Sequence, residues 1–317
     1  MIISRRSVLT AAAAGVTAFA TRGLAQAAPR EFRIGFQKSG AIVIAKQKGV
    51  IERRLNALGV ETVRWLEFPA GPPLLEALSV GSVDFGTTGD TPPIFAQAAG
   101  ADLVYAATIP QASSAVLVPA NSSIEAVTEL KGRKIAFTKG SSSHNFTVQV
   151  LKKAGLALTD VTPVNLSPAD AAAAFARGSI DAWTIWDPFF ALAEKNQNAR
   201  AIARIEGVVD SNSFYLANRS FAKLHPSILK ATIDELAAIG DWAEKNRDNL
   251  AEILAEATGV DLVAQRTAVA RAKFSVDPLT SEAIANQQLI ADEFYRLGLI
   301  PRPISVQEAA WAPPAAM

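Results

Sequence analysis

Cysteine is absent from the 317 residues, and histidine is nearly so, with only His144 and His225. The first absence excludes a thiolate nucleophile, a disulfide framework and a thiolate metal cluster. It also excludes a lipid anchor built on an N-terminal cysteine. Two histidines 81 positions apart have no metal-ligand spacing, so no metal or other cofactor is expected. No G-x-S-x-G elbow and no glycine-rich turn closed by Lys-Ser or Lys-Thr is present, which removes the common serine-hydrolase and nucleotide-binding loops. Charge of either sign is not in excess: 31 basic residues face 30 acidic ones. A chain so balanced is not built to bind nucleic acid or an anionic membrane. Apolar runs long enough to span a bilayer are missing as well, because Ala11 to Ala20 is short of the roughly 20 residues required and is interrupted by Gly15 and Thr17.

What the N-terminus does contain is an address. Ser4-Arg5-Arg6-Ser7-Val8-Leu9-Thr10, the modest apolar run and Ala25-Gln26-Ala27 form a secretory signal with paired arginines, predicted to occupy residues 1–27 and to be cleaved after Ala27. Export to the periplasm is the consequence. Removal of Arg5, Arg6 and Arg22 leaves 28 basic and 30 acidic residues, a formal charge of −2. About 290 residues remain, more than one core comfortably supports, which favours two lobes.

From Phe32 the chain alternates short apolar runs with helical ones: FRIGF, then Ala41 to Leu58, TVRWLEF, Leu74 to Val80, VDFG, Pro92 to Ala99 and LVYAAT. That βα series predicts an α/β fold with a parallel or mixed sheet. A second series begins near Ser113 to Val118 and continues through Lys134 to Phe137, Val161 to Leu166, Ala182 to Ile185 and Ala201 to Ile205. Phe214 to Ala217 reads as a strand running back, and Pro226 to Leu297 as almost wholly helical. The expected division is a first lobe from 28–114 completed by 214–300, a second lobe from 115–213, and a tail from 301–317. No long Gly/Ser/Pro linker lies at either crossing, so the two lobes are expected to be compact and joined by a two-crossing hinge.

Ligands of such sheets bind beyond the carboxyl ends of the strands. Four loops there collect hydrogen-bond donors. The densest is Lys139-Gly140-Ser141-Ser142-Ser143-His144-Asn145, where a serine-rich turn leads from a strand into a helix. Hydroxyls and free first-turn amides hold an anion at such a place, although Ser143 or Asn145 could also serve as plain helix caps. Gln37-Lys38-Ser39-Gly40, Thr87-Thr88-Gly89-Asp90 and Trp186-Asp187-Pro188 are the other three starts. Asp90 and Asp187 are expected mainly to cap and fix their loops, since a carboxylate aimed at an anion would repel it. His144 has no nucleophile to serve, so it reads as a hydrogen-bond donor or loop orienter rather than a general base.

The runs RIGFQKSG, EFPAGPPLLEALSVGSVDFGTTGDTPPIFAQAAGADLVY, LKGRKIAFTKGSSSHN, SPADAAAAFARGSIDAWTIWDP and SFYLANRSFA resemble the aliphatic sulfonate-binding proteins of bacterial ABC importers. The resemblance extends from Phe32 to about Trp311. It implies a type II periplasmic binding protein fold, a monomer that captures alkanesulfonates and delivers them to a membrane permease for sulfur acquisition, and no catalysis. Carried onto this chain, it puts Gln37, Thr88, Gly89, Ser142, Ser143 and His144 near the sulfonate head, with Ser39, Asp90 and Ser141 in the same loops. Trp186, Asp187 and Phe214 would line the part of the cleft that takes the alkyl chain. Taurine, nitrate and aromatic sulfonates are the alternative ligands. Enzymes of the same fold, the sulfinate desulfinases and thiamine-pyrimidine synthases, use the cysteine that this chain lacks.

Overall fold

A computed structural model describes residues 28–314; the secretory signal read at 1–27 and the last three residues lie outside them. Two five-stranded sheets form the framework. The first is built from β1 (Glu31–Phe36), β2 (Thr62–Glu67), β3 (Phe85–Thr88), β4 (Leu103–Pro110) and β10 (Asn212–Asn218), in the order β2-β1-β3-β10-β4. The second takes β5 (Ser114–Val118), β6 (Lys134–Phe137), β7 (Thr162–Asn165), β8 (Ala182–Trp186) and β9 (Arg200–Arg204), in the order β7-β6-β8-β5-β9. The chain thus crosses between sheets twice, from β4 to β5 and from β9 to β10.

The two sheets follow one plan. In each, four strands share one direction, three of them neighbours as βα connections favour, and a strand entered from the other sheet inserts antiparallel at the fourth position. That strand is β10 in the first sheet, between β3 and β4, and β5 in the second, between β8 and β9.

Helices cover both faces. α1 (Ala41–Lys48) and α2 (Val50–Asn56) divide what reads in sequence as one run, because Gly49 adopts a left-handed conformation (φ 61°) that ends the first helix and starts the second. α3 (Gly71–Ser79) and α4 (Thr91–Ala98) follow in the first lobe, and α5 (Ser142–Lys153), α6 (Pro168–Ala176) and α7 (Phe189–Gln197) belong to the second. The C-terminal part supplies α8 (Arg219–Leu224), α9 (Pro226–Lys245), α10 (Arg247–Thr258), α11 (Leu262–Arg271) and α12 (Ser281–Arg296). Alternation along β10 shows how each sheet is buried twice over. Tyr215 and Ala217 join the core with Phe32, Phe85 and α9, while Phe214 and Leu216 join the core of α3 on the opposite face. Among the described residues, no helix is long and apolar enough to cross a membrane.

The lobes meet on two sides. On one, α5 lies against α4 and α12, with Asn145 Nδ2 donating to Asp90 Oδ2 at 2.8 Å and Lys152 Nζ 2.8 Å from Glu293 Oε1. On the other, α11 packs on α7, where Lys195 Nζ lies 2.7 Å from Asp261 Oδ1 and Arg271 pairs with Glu194. The partly exposed pairs contribute little energy. The Asp90–Asn145 bond is fully buried and contributes more.

Candidate functional site

Between the lobes, at the carboxyl ends of the strands, lies a cavity of about 140 Å3. Its walls are built by helix starts. Gly40, Ala41 and Ile42 bring the beginning of α1, Thr88 and Gly89 the approach to α4, and Ser142 the first residue of α5. None of these three helices has a side chain bonded to its first-turn amides as a cap. The first amides of a helix have no intrahelical partner, and their dipoles sum to a partial positive charge. Two of these starts, α1 and α5, one from each lobe, offer such amides around one small volume and form an environment for an anion, whereas α4 begins Thr91-Pro92-Pro93, whose prolines have no N–H to give.

Seven of the twelve residues singled out in the sequence line this cavity: Gln37, Ser39, Thr88, Gly89 and Ser142, and on the far wall Trp186 and Asp187. Gln37 Nε2 donates to the Thr87 carbonyl at 3.1 Å, which fixes its amide beside β3. Gly89 has no alternative at its position. A Cβ there would fall 2.1 Å from Ser142 Oγ, so the glycine lets the α4 loop of one lobe touch the α5 start of the other. Trp186 is mostly core, packed edge-on against Phe189 at 6.3 Å, and also borders the cavity.

The other five lie away from it. Ser141 Oγ donates to the Thr138 carbonyl at 2.7 Å and lies 2.8 Å from Ser143 Oγ, so the two hydroxyls stabilise the turn. Successive residues of a helix start are rotated by about 100°, and only Ser142 of the three serines faces inward. His144 is also turned away. Its ring stacks on Phe137 with centroids 4.9 Å apart, meets Phe294 edge-on at 5.3 Å, and accepts the Gly140 amide at Nδ1 at 3.2 Å. Burial, with help from Lys139, lowers its pKa to about 4. The neutral ring orients the loop, which is one of the two roles the sequence allows it, and does not touch the cavity.

Asp90 is wholly buried and forms the centre of a polar knot. Its carboxylate accepts from Thr91 Oγ1 at 2.7 Å, Asn145 Nδ2 at 2.8 Å and Ser211 Oγ at 2.9 Å, and its carbonyl accepts from Gln287 Nε2 at 2.6 Å. Burial raises its pKa against the effect of these bonds. The knot ties α4, α5, the second crossing and α12 together, so Asp90 holds the loop and does not line the cavity. Phe214 is a correction of parity. It packs edge-on against Tyr105 at 4.9 Å on the α3 side, and its neighbours Ser213 and Tyr215 reach the cavity.

Sequence reasoning missed the contribution of the C-terminal region. Gln265 and Val269 of α11, with Lys273 and Phe274 just beyond its end, close the cavity from the C-terminal region. Gln111, in the first crossing, also lines it. Asp187 Oδ1 accepts the Ala191 amide at 3.0 Å and lies 3.5 Å from Arg271 Nη1. Burial raises the Asp187 pKa to about 6 despite the arginine.

Two mixed sheets joined by two crossings, with a donor-lined cavity between them, define a type II periplasmic binding protein. The NMT1/THI5-like family pattern matches residues 66–245. An aliphatic sulfonates-binding protein of Escherichia coli is 39% identical over 97% of both chains, and one of Bacillus subtilis is 32% identical over 88% of this chain and 85% of its own. Among solved structures, the alkanesulfonate-binding protein SsuA from Xanthomonas axonopodis pv. citri, bound to MOPS, superposes with a TM-score of 0.86 at 41% identity, covering 90% of this chain and 99% of its own. The chain belongs to the NMT1/THI5-like family and, within it, to the aliphatic sulfonate-binding proteins. A desulfurization enzyme, DszB, matches at 15% identity with a TM-score of 0.65, which shows the shared fold alone.

Proposed function

We propose that this protein is an extracytoplasmic solute-binding protein that captures sulfonates between its two lobes and hands them to an ABC permease in the inner membrane for sulfur acquisition. The observation that carries the reading is the convergence of two uncapped helix starts, α1 and α5, one from each lobe, on one cavity with apolar walls. A sulfonate is ionised at every physiological pH and never donates a proton, so donors alone suit its head group. Backbone amides, Gln37, Ser39, Thr88 and Ser142 form the proposed head-group set. Ile42, Trp186 and Phe274 supply apolar surface that a bare inorganic anion could not use. In this reading the protein works as a monomer in the periplasm and without catalysis. Its lobes turn about the two crossings, near residues 111–113 and 205–211, to admit and release the ligand.

Calorimetric titration of the chain from Ala28 onward, stripped of ligand by denaturation and refolding, tests this with ethanesulfonate, octanesulfonate, taurine, sulfate and nitrate. Saturable binding of at least one sulfonate with sulfate at least about tenfold weaker is the expected result, one tenfold step being about 1.4 kcal/mol. Sulfate or nitrate binding more tightly than every sulfonate would overturn it.

A further inference from the structure

The backbone of Arg271 is held by one lobe and its side chain by the other. The end of α11 is tied to the first lobe. Arg247 Nη1, at the start of α10, donates to the carbonyls of Val269 at 2.6 Å and Ala272 at 2.9 Å, and the Phe274 amide donates to Glu244 Oε1 at 2.7 Å. Val269 and Phe274 are buried in the core that also holds Phe32 and Phe85. The Arg271 guanidinium reaches the second lobe instead. It pairs with Glu194 of α7, lies 3.5 Å from Asp187 Oδ1, and rests on the Phe190 ring with its central carbon 4.0 Å from the centroid. Phe190 belongs to the core of the second lobe.

Only 20% of the Arg271 side chain and 8% of the Asp187 side chain are exposed, against 38% and 41% in the neighbouring pair of Lys195 and Asp261. The exposed pair contributes little. A guanidinium that meets two carboxylates and a ring face, mostly out of water, holds its place more firmly.

Charge gives the contact a second effect. Glu194 is also paired within its own lobe, with Arg204 Nη2 of β9 at 3.4 Å, and Arg204 lies on the same Phe190 ring at 4.9 Å. Among the described residues Asp187 has its ion pair with Arg271 alone. Parting of the lobes takes Arg271 away with α11 and leaves Asp187, a residue of the cavity wall, without its cation. An anion in that cavity is then repelled through space, and docking of Arg271 cancels the repulsion.

We propose that Arg271 is a positioning residue for ligand capture, which latches α11 of the first lobe onto α7 of the second and, by neutralising Asp187 only when docked, makes closure and retention of an anion depend on each other. Arg271 itself does not line the cavity. The inference rests on the sulfonate reading for its ligand and on the lobe contacts for its latch.

Because the chain has no cysteine, cysteines introduced at exposed Asn196 on α7 and Val263 on α11 carry the only spin labels in the protein. Distances between them are measured with and without ethanesulfonate. In Arg271→Met the balance of docked and parted lobes should shift toward the parted form about tenfold or more in at least one condition, as loss of one partner of a desolvated charge pair requires. The dissociation constants of ethanesulfonate and octanesulfonate should rise by one common factor, which marks a residue that does not touch the ligand. Adding Asp187→Asn, which keeps an acceptor for the Ala191 amide, should recover about threefold or more of the lost affinity, because the unpaired carboxylate is gone. A merely structural role would make the double variant worse. Glu194→Gln should part the lobes to a smaller extent, and it serves if the arginine variant does not fold. Unchanged label distances in both single variants, or a double variant that binds no better than Arg271→Met, would overturn the inference. Failure of both sulfonates to bind the unaltered protein, with the label distances still governed by Arg271, would overturn the sulfonate reading and leave the latch standing.

Discussion

The starts of α5 and α7 both follow strands of the second sheet, and they use their polar side chains in opposite ways. At α5 nearly everything is consumed within the protein: Ser141 and Ser143 bond to each other, His144 to Gly140, and Asn145 to Asp90. One hydroxyl, that of Ser142, is left for the cavity. At α7 there is a single polar side chain, Asp187, and one of its two oxygens is left unpartnered. A rich turn can therefore be spent almost wholly on structure while a sparse one keeps a buried acceptor unpartnered. What decides is how many of its groups have partners inside the fold.

The comparison breaks first at Asp90. Asp90→Ala removes the acceptor shared by Thr91, Asn145 and Ser211 and leaves buried donors unpaired, so a loss of about 3–5 kcal/mol in folding stability is expected from denaturant titration. A loss below about 1 kcal/mol would mean that the knot does not hold the lobes.

His144 comes next, through pH. Its folded pKa of about 4 lies below the ordinary 6.5, so the unfolded chain takes up a proton that the folded protein refuses. The contribution is fully present above pH 6.5 and is lost progressively as pH falls toward 4, by up to about 3 kcal/mol at 1.4 kcal/mol per unit. His144→Phe should flatten the stability profile across that window; an unchanged slope would show that the ring is not buried as described.

Gly89→Ala forces a Cβ onto Ser142 Oγ and should weaken sulfonate binding by about 2 kcal/mol, roughly thirtyfold, through impaired approach of the lobes. Adding Ser142→Gly should recover part of the loss, and a double variant no better than the single one would deny the contact. The smallest effect separates the neighbouring serines. Ser142→Ala should lower affinity by about 1.5 kcal/mol with stability unchanged, as a hydrogen bond to a charged ligand requires, whereas Ser143→Ala should lower stability and leave affinity alone. The reverse pattern would place Ser143 at the head group.

Most of the framework was legible because alternation and helix spacing are local signals. Every strand expected between Phe32 and Ala217 forms within a few residues of its expected bounds, and the stretch read as helical from Pro226 to Leu297 is divided among α9 to α12. Gly49 hid a helix break, since a single glycine in an apolar helical run is locally tolerable and only the left-handed backbone reveals the stop. The site was legible to the level of the loop and not of the side chain. Which serine faces inward depends on the rotation of α5, and whether Phe214 or Tyr215 faces the cavity depends on which side of a doubly buried strand meets it. Gln265 of α11 and Lys273 just beyond it gave no signal at all, because nothing local to this stretch states that α11 will rest on α7.

The place of β10 also sets the sequence of events in folding. Among the described residues, the stretch 114–204 contains every strand of the second sheet and can pair as soon as it emerges, but β4 has its only ladder partner in β10, about a hundred residues later. The first sheet is thus completed late and by long-range contacts, the slow kind. Until Asn212–Asn218 arrives, β3 and β4 expose facing edges to any other strand in reach, and a chain interrupted before that point is left with both of them open.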